Sequence, residues 1–533
     1  EADSNDIMLC KFIGLEKLNS TSTSPISVVI RNVGKKQIDS ATVSFSIDGV
    51  KQTEFVYVPA TPLAFPNRDT VSIGSYMLTN GDHHFMACAS IAGDINTTND
   101  TIVEKRKICS QTVSGTYIVG TSASADYSFS QISTLLYPNM IDCGVTGDVT
   151  LAFEDGSYTG SIDLTSIATA MGEYHLTLTS LSGDRNKVTI SNSTTVLTIG
   201  SANKNITVEN LTLTNTGTTL YVIYLNNGCS NINILHNNLL RDTTNTSTNY
   251  VIYNPSNGTI SDIRITGNLI RGGYYGLYLY GSGSSAVNSN VVIDSNEIFG
   301  QYYYACYLYY VQTPSFSYNH IRARYTNANS YWYGLYNYYG QFEYMVGNNV
   351  NAMTASNITY AYGMYLYYVN QYGSYGAGLA ANNSVKVRTS NCGVREYYCQ
   401  MNFYHNTVYT EGTSGYCFYG YNYYSYPFEA KGNQFIAGSG QWAFYQAYGT
   451  AAYMQYNSDY NNFYTNGGAN FVYAGAAYSD INSLRSGLGQ DAHSVSVAPS
   501  FENLNQSLKM KSNSNFVMPR LVNTDITGAI RRP

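Results

Sequence analysis

Between Gly273 and Tyr368, small or apolar residues alternate with tyrosine in a phrase that is written four times. It reads Tyr274-Tyr-Gly-Leu-Tyr-Leu-Tyr280, Tyr303-Tyr-Ala-Cys-Tyr-Leu-Tyr309, Trp332-Tyr-Gly-Leu-Tyr-Asn-Tyr338 and Ala361-Tyr-Gly-Met-Tyr-Leu-Tyr367. Alternation with period 2 predicts a strand. The central tyrosines Tyr278, Tyr307, Tyr336 and Tyr365 recur every 29 residues. A fixed period of that size marks a solenoid, propeller or array. One short strand per repeat is too few for a propeller blade and suits one coil of a parallel β-helix. If Leu277, Leu279, Leu308 and Leu366 face the interior, alternation turns the tyrosines outward.

A second ladder runs in step with the first. An Asn-x-apolar motif recurs at Asn238, Asn268, Asn296, Asn319, Asn348, Asn383, Asn406, Asn433 and Asn461. Asparagine tolerates the left-handed backbone of a tight turn, and stacked asparagines can pair with one another from coil to coil. The tyrosine phrase continues as Tyr416-Cys-Phe-Tyr-Gly-Tyr421, Trp442-Ala-Phe-Tyr445 and Phe471-Val-Tyr473, with weaker early copies at Tyr221-Val-Ile-Tyr224 and Tyr250-Val-Ile-Tyr253. The pattern therefore predicts an all-β chain whose residues 111–533 form a right-handed, pectin-lyase-like parallel β-helix. Its parts are a capping segment over about 113–160, tyrosine-rich coils over about 221–478 and a C-terminal cap over about 480–533.

Residues 1–110 lack the repeat. Ile26-Ser-Val-Val-Ile-Arg-Asn-Val-Gly-Lys35, Ala41-Thr-Val-Ser-Phe-Ser-Ile-Asp-Gly49, Val71-Ser-Ile-Gly and His84-Phe-Met-Ala-Cys-Ala-Ser90 read as short strands closed by turns, which predicts an antiparallel sandwich. Within Ser128–Met140, apolar positions Phe129, Ile132, Leu135 and Leu136 are spaced for a short amphipathic helix, the natural cap for an open solenoid end. The phrase Val28-Val-Ile-Arg-Asn-Val-Gly34 followed by Ser44-Phe-Ser-Ile-Asp-Gly49 resembles the immunoglobulin-like CARDB modules of bacterial surface proteins. Gly115-Thr-Tyr-Ile-Val-Gly120 and the tail phrases Asp491-Ala-His-Ser-Val495, Ala498-Pro-Ser-Phe501 and Asn523-Thr-Asp-Ile-Thr-Gly-Ala-Ile-Arg531 resemble β-helix regions of large exported proteins of Gram-negative bacteria that use the type IX secretion route. Those resemblances imply a secreted or surface-displayed chain, part of a larger assembly or a longer precursor.

Composition narrows the partners. Charged residues are only 12% of the chain, about half the share of an ordinary domain, and 47 of the 54 tyrosines lie between Tyr221 and Tyr478. A net charge of −6 gives no electrostatic reason to expect nucleic acid. No apolar run is long enough to span a membrane. The polar opening Glu1-Ala-Asp-Ser-Asn-Asp6 is what a processed, exported chain would show, and equally a trimmed one. Nine cysteines leave at least one unpaired and none has metal-site spacing, while Cys392–Cys399 and Cys109–Cys143 are possible disulfides. Cys306 stands where the other phrases have Leu or Met, so it reads as a core residue. No cofactor and no metal are expected.

Two constellations carry candidate chemistry. The first is an outward aromatic strip: Tyr278, Tyr280, Tyr307, Tyr309, Tyr336, Tyr338, Tyr365, Tyr367 and Tyr419. Each tyrosine offers a flat face and a hydrogen-bonding tip, suited to stacking on sugars or docking protein. The bland alternative is that the tyrosines only stabilise one another. The second is a basic set following the asparagines: Arg241, Arg271, His320, Arg322, Arg324, Lys386 and Arg388. Such a column can bind carboxylate or sulfate on an anionic polysaccharide or support a lyase that removes the proton α to a uronate carboxylate. Neighbouring acids Asp242, Asp262, Asp294 and Glu297 can equally pair with it. Polygalacturonase-like hydrolases need an Asp-Asp pair, and none occurs. No catalytic residue is assigned. Asp39-Ser-Ala41, Asp69-Thr-Val71 and Asp100-Thr-Ile102 resemble the O-glycan acceptor pattern of that bacterial group, which implies modification at Ser40, Thr70 and Thr101. The pattern as a whole favours a non-enzymatic binding or display protein whose partner is a polysaccharide or another surface protein. The competing readings are a uronate lyase and a purely structural stalk.

Overall fold

The computed structural model describes residues 4–109, 112–324, 330–353, 359–371, 376–422, 428–447, 456–468, 470–504, 508–511 and 519–524. The chain divides into two compact units. The first comprises residues 1–115, 130–149 and 170–174; the second comprises 116–129, 150–169 and 175–533.

In the first unit, two antiparallel sheets enclose one apolar core. Ile7–Ile13, Ser24–Asn32 and Arg68–Tyr76 make one sheet, while Val50–Lys51, Ala41–Ile47, Gly81–Ser90 and Thr101–Ile108 make the other, with Phe55–Tyr57 paired to Ala41–Ile47. Alternation along Ala41–Ile47 turns Val43 and Phe45 inward, where the Phe45 ring lies 6.0 Å from Phe12 of the opposite sheet. The helix expected over 128–140 begins and ends later: a single π turn at Ile132–Leu136 runs into an α-helix at Tyr137–Cys143. It groups with this unit rather than with the coils. Leu135, expected on its apolar face, is 52% exposed.

The second unit is a parallel β-solenoid. Three sheets, of 13, 12 and 13 strands, run along it, and each turn adds one strand to each. A typical turn is Ser261–Thr266, Leu269–Arg271 and Tyr275–Tyr280. The tyrosine strands stack in register, with Tyr278 opposite Tyr307, Tyr307 opposite Tyr336 and Tyr336 opposite Tyr365. Leu277, Cys306, Leu335 and Leu279 are fully buried, so the predicted inward column holds.

The asparagine ladder holds too, with two corrections. Its first rung is Asn237, not Asn238: Asn237 donates to the side chain of Asn268, and the relay passes to Asn296, Asn319, Asn348, Asn383, Asn406, Asn433 and Asn461. Each side-chain oxygen also accepts the backbone N–H of the preceding rung, as Asn348 does from Asn319 at 3.0 Å. The left-handed residue is the one before each rung. Gly267, Ser295, Tyr318, Gly347, His405 and Tyr460 all have positive φ, between 54° and 70°. The rung itself is free to point inward and satisfy backbone that the corner would otherwise leave unpaired. The last rung is not an asparagine: Asn461 N–H donates to Ser494 Oγ at 2.9 Å, so the tail phrase Asp491-Ala-His-Ser-Val495 closes the ladder. Of the expected C-terminal cap over 480–533, residues 505–507, 512–518 and 525–533 lie outside the described residues. Within it stands a helix the sequence reading missed, Ile481–Leu488, started by a capping box between Asp480 and Ser483.

No described helix is long and apolar enough to cross a membrane.

Candidate functional site: the tyrosine sheet

Each tyrosine strand departs from strict alternation at one place. In Tyr275–Tyr280, Gly276 and Leu277 are both buried, and a Cβ built on Gly276 would lie 3.2 Å from Ile298 Cγ2 on the opposite wall. Two consecutive residues therefore point inward, and Tyr275 is returned to the outer face. The sheet presents three tyrosine columns where alternation gave two.

The first column is Tyr221, Tyr250, Tyr275, Tyr304, Tyr333 and Tyr362; its rings from Tyr250 onward stack at 4.9, 5.1, 4.8 and 4.7 Å. The second contains four of the predicted residues: Tyr278, Tyr307, Tyr336 and Tyr365, stacked at 4.9, 5.0 and 5.0 Å with interplanar angles of 17° or less. Tyr224 and Tyr253 lead into it. The third holds Tyr280, Tyr309, Tyr338 and Tyr367 and continues through Tyr397 to Tyr421. A fourth row, Tyr310, Tyr339, Tyr368 and Tyr398, occupies the next corner in left-handed conformation, again stacked at 4.9 to 5.0 Å.

This stacking alters what the surface offers. Both faces of an interior ring are taken by the rings above and below, so a sugar cannot lie flat on them. Edges remain, in rows that repeat with every coil, and in the third column the hydroxyls bond from coil to coil, Tyr280 with Tyr309 and Tyr338 with Tyr367. Burial pushes the phenols of Tyr275, Tyr278, Tyr304, Tyr307, Tyr333 and Tyr336 well above the ordinary tyrosine value, and neighbouring phenols push them further. These six phenols are uncharged over any physiological pH.

One rung of the second column is not a tyrosine. Between Tyr365 and Tyr419 the register places Arg395. Its guanidinium carbon lies 5.2 Å from the Tyr365 ring centre and 5.1 Å from that of Tyr419, a cation held between two aromatic rings. Tyr419 thus belongs to the column, but not directly above Tyr365. Burial raises the Tyr419 phenol to about 12 against the pull of this positive charge. The repeat hides Arg395 because the phrase containing it, Cys392-Gly-Val-Arg-Glu-Tyr397, keeps only the last tyrosine. The signal that would have found it is the ladder spacing: Asn383 and Asn406 bracket a coil, and every coil must place one residue in each column.

The basic set does not come together as a site. Arg271, Arg322 and Lys386 do share one column of the adjoining sheet, with Phe299 and Asn351 between them. Arg241 is out of it. Because the first rung is Asn237, Leu240 pairs with Arg271, and the one-residue slip sends Arg241 elsewhere. Arg241 is 3% exposed and donates to the carbonyls of Gly217, Thr219 and Leu220. Arg324 is also buried, donating to the carbonyls of Gly300, Asn245 and Gly273. Lys386 is 3% exposed, and its ammonium, pulled below its usual value by burial, donates to the Leu504 carbonyl. Arg322 and Arg388 are on the surface, paired with Glu297 and Glu411. His320 is exposed, and Arg271 is partly buried. Three of the seven cations thus hold the coils together from inside.

The cysteine expectations are corrected. All nine are thiols in this structure. Cys392 opens the strand Cys392–Tyr397 and Cys399 lies beyond its end, so an extended segment separates them and no bridge can form. Cys109 and Cys143 are close, and burial together with Cys109 pushes the Cys143 thiol up to about 12. Ser40, Thr70 and Thr101 are all exposed in the first unit. No group of three or more acidic, His or Cys side chains able to hold a metal ion occurs among the described residues.

No protein-family model matches the chain, and no curated protein does. Among solved structures, the chain is similar to the CARDB domain of a Pyrococcus furiosus protein in complex with di-metal ions, at 12% identity and a TM-score of 0.18, over 20% of this chain and 97% of that one. It is also similar to the catalytic domain of a GH87 alpha-1,3-glucanase in complex with nigerose, at 11% identity and a TM-score of 0.26, over 93% of this chain and 99% of that one. At these scores neither likeness carries any chemistry over to this chain. What stands is a β-solenoid with one tyrosine-lined sheet.

Proposed function

We propose that the chain is a non-catalytic binding protein, secreted or displayed on a bacterial surface, and that its tyrosine sheet is the face offered to a polysaccharide. The observation that supports this reading is the division of labour within the second column: the ring faces of Tyr278, Tyr307, Tyr336 and Tyr365 stabilise the stack, and their hydroxyl edges are left over. Rows of hydroxyls in step with the coils suit a partner that is itself extended and rich in hydroxyls, met by hydrogen bonds rather than by ring stacking. The first unit, read as an immunoglobulin-like spacer, would hold that face away from its anchor. O-glycans at Ser40, Thr70 and Thr101 belong to the same proposal, and an intact mass of the native protein without added hexose would remove them.

The same stacking favours a second reading, in which the tyrosines only stiffen a stalk. One set of substitutions separates the two. Tyr278, Tyr307, Tyr336 and Tyr365 changed together to Phe keep the stack and delete four hydroxyls. A glycan-array screen of the wild-type chain and this variant, with denaturation midpoints measured alongside, should show binding that the variant loses while its midpoint is kept. Binding unchanged by the four Phe, or no binding by the wild type to any neutral or acidic polysaccharide, would leave the stalk reading in place.

A further inference from the structure

Arg395 is the one charged side chain that the tyrosine strands between Tyr221 and Ala474 turn outward; the other charged residue on them, Glu396, is 1% exposed and points into the coil. The structure treats Arg395 differently from other arginines of the solenoid. Arg322 and Arg388 have carboxylates. Arg241 and Arg324 have sets of backbone carbonyls. Arg395 has two aromatic rings, with the Tyr362 phenol beside it, and no carboxylate within ion-pair distance among the described residues. Its Nε is buried without a hydrogen-bond partner. An arginine that served only as a rung would leave a charge neither neutralised nor fully hydrated, which is costly.

Guanidinium donors all lie in one plane. Flanked by rings on both sides along the column and hydrogen-bonded to the Tyr362 phenol, that plane leaves the rest of its edge for a ligand. A planar fork of donors fits the paired oxygens of a carboxylate or sulfate. The neighbouring hydroxyls of the tyrosine columns can hold the sugar that carries the group. Resting on the proposed role of this sheet as a polysaccharide-binding face, we propose that Arg395 is its anion-recognising position, taking a carboxylate or sulfate group of an acidic polysaccharide. Arg322 and Lys386, where the sequence placed that chemistry, are respectively paired and buried.

The test is calorimetric titration of the full chain with three oligosaccharides of equal length, one neutral, one built of uronates and one sulfated, at low and high salt. The wild type, Arg395→Gln and Arg395→Lys are compared. At low salt at least one acidic oligomer should bind the wild type about tenfold or more tighter than the neutral one, as expected for a charge-assisted contact. That preference should shrink with salt, vanish in Arg395→Gln and fall in Arg395→Lys, which keeps the charge but not the fork. Binding of the neutral oligomer should not change. A preference for the uronate oligomer identifies carboxylate, and one for the sulfated oligomer identifies sulfate. Equal binding of acidic and neutral oligomers, or an acidic preference that survives Arg395→Gln, overturns the assignment of Arg395 and leaves the binding face standing. Failure of all three oligomers overturns both. Should Arg395→Gln not fold, Arg395→Lys decides the matter, since an unchanged preference there overturns the proposal.

Discussion

Replacing Glu396 by Gln should stabilise the solenoid at alkaline pH and leave it unchanged at acidic pH. Glu396 follows Arg395 on the strand, so alternation turns it into the coil, where it is 1% exposed. One carboxyl oxygen accepts the Cys399 N–H at 2.7 Å. The other, Oε2, has no partner. Above it the column has Gly420, and the space its side chain would need is taken by Gln446. A Cβ built there would stand 2.2 Å from Gln446 Oε1 and 3.3 Å from Glu396 Oε2. Two acceptors thus approach the same spot beside Gly420, an arrangement that a proton on Glu396 relieves by making it a donor. Burial first of all raises its pKa, from 4.5 to about 7, against the lowering effect of the Cys399 N–H.

The sign follows from linkage. A carboxyl group whose folded pKa is raised is better tolerated protonated, so it costs nothing below its unfolded value near 4.5. Stability then falls as pH climbs from about 4.5 to about 7, and is flat above. A shift of about 2.5 units at 1.36 kcal/mol per unit makes the cost about 3 kcal/mol at pH 8. Gln has the same shape, carries no charge and brings an N–H2 that can donate to Gln446 Oε1. Guanidinium denaturation followed by circular dichroism at pH 4 and pH 8 measures it. The wild type should lose more stability between the two than the variant does, and their difference should appear only at pH 8. Parallel pH dependence in both proteins, or a variant less stable at pH 8, would refute the idea that the carboxylate is held against its preference.

Other perturbations probe the remaining supports. Asn319→Ala removes four hydrogen bonds, two accepted from Asn296 and two donated to Ile293 O and Asn348 Oδ1, and leaves buried backbone unpaired; a loss of about 3 kcal/mol or more is expected by chemical denaturation, and a loss under about 1 would mean the ladder is ornamental. Gly363→Val should be worse than Ala305→Gly, since even a Cβ at Gly363 lies 2.2 Å from Val385 Cγ1; an overpacking cost of about 3 kcal/mol is expected, and comparable thermal midpoints for the two variants would contradict the inward placement of this position. Alkaline titration followed at the tyrosinate band should show two classes. The stacked phenols, raised by burial, ionise only with unfolding, because an acid with a raised folded pKa loses stability as pH passes its unfolded value near 10, so they separate from any that ionise in the folded chain. A single smooth transition with unchanged circular dichroism would argue against the buried stack.

Much of this fold is legible because a solenoid repeats its constraints. Tyr278, Tyr307, Tyr336 and Tyr365 reveal the coil because each meets the same neighbours, and a parallel ladder makes sequence period and spatial column one quantity. What the pattern misplaced lies where a coil departs from that rule. Asn237 and Asn238 are adjacent and identical, and only the pairing of Asn238 with Leu269 shows which is the rung; the misreading moves Arg241 by one position, enough to carry it from a surface column into a cage of carbonyls. Gly276 and Leu277 both turn inward because the opposing wall comes within reach there, a tertiary fact with no local signature, and it restores Tyr275 to the outer face.

Arg395 marks the boundary most sharply. Counting tyrosines passes over it, since a motif search joins Tyr365 to Tyr419 across the missing copy. Counting coils finds it, since Asn383 and Asn406 demand a turn between them and the turn must put some residue between those two rings. Tyrosine at that position would complete the stack at no electrostatic cost. A cation there gives up a hydration shell for two rings and leaves one N–H unsatisfied, a loss that an anion bound at the edge of the fork would reverse. The place where the repeat fails is therefore the place where the sheet stops being uniform along its length, and a uniform comb of phenols can hold a polymer in many positions while a single charge can hold it in one.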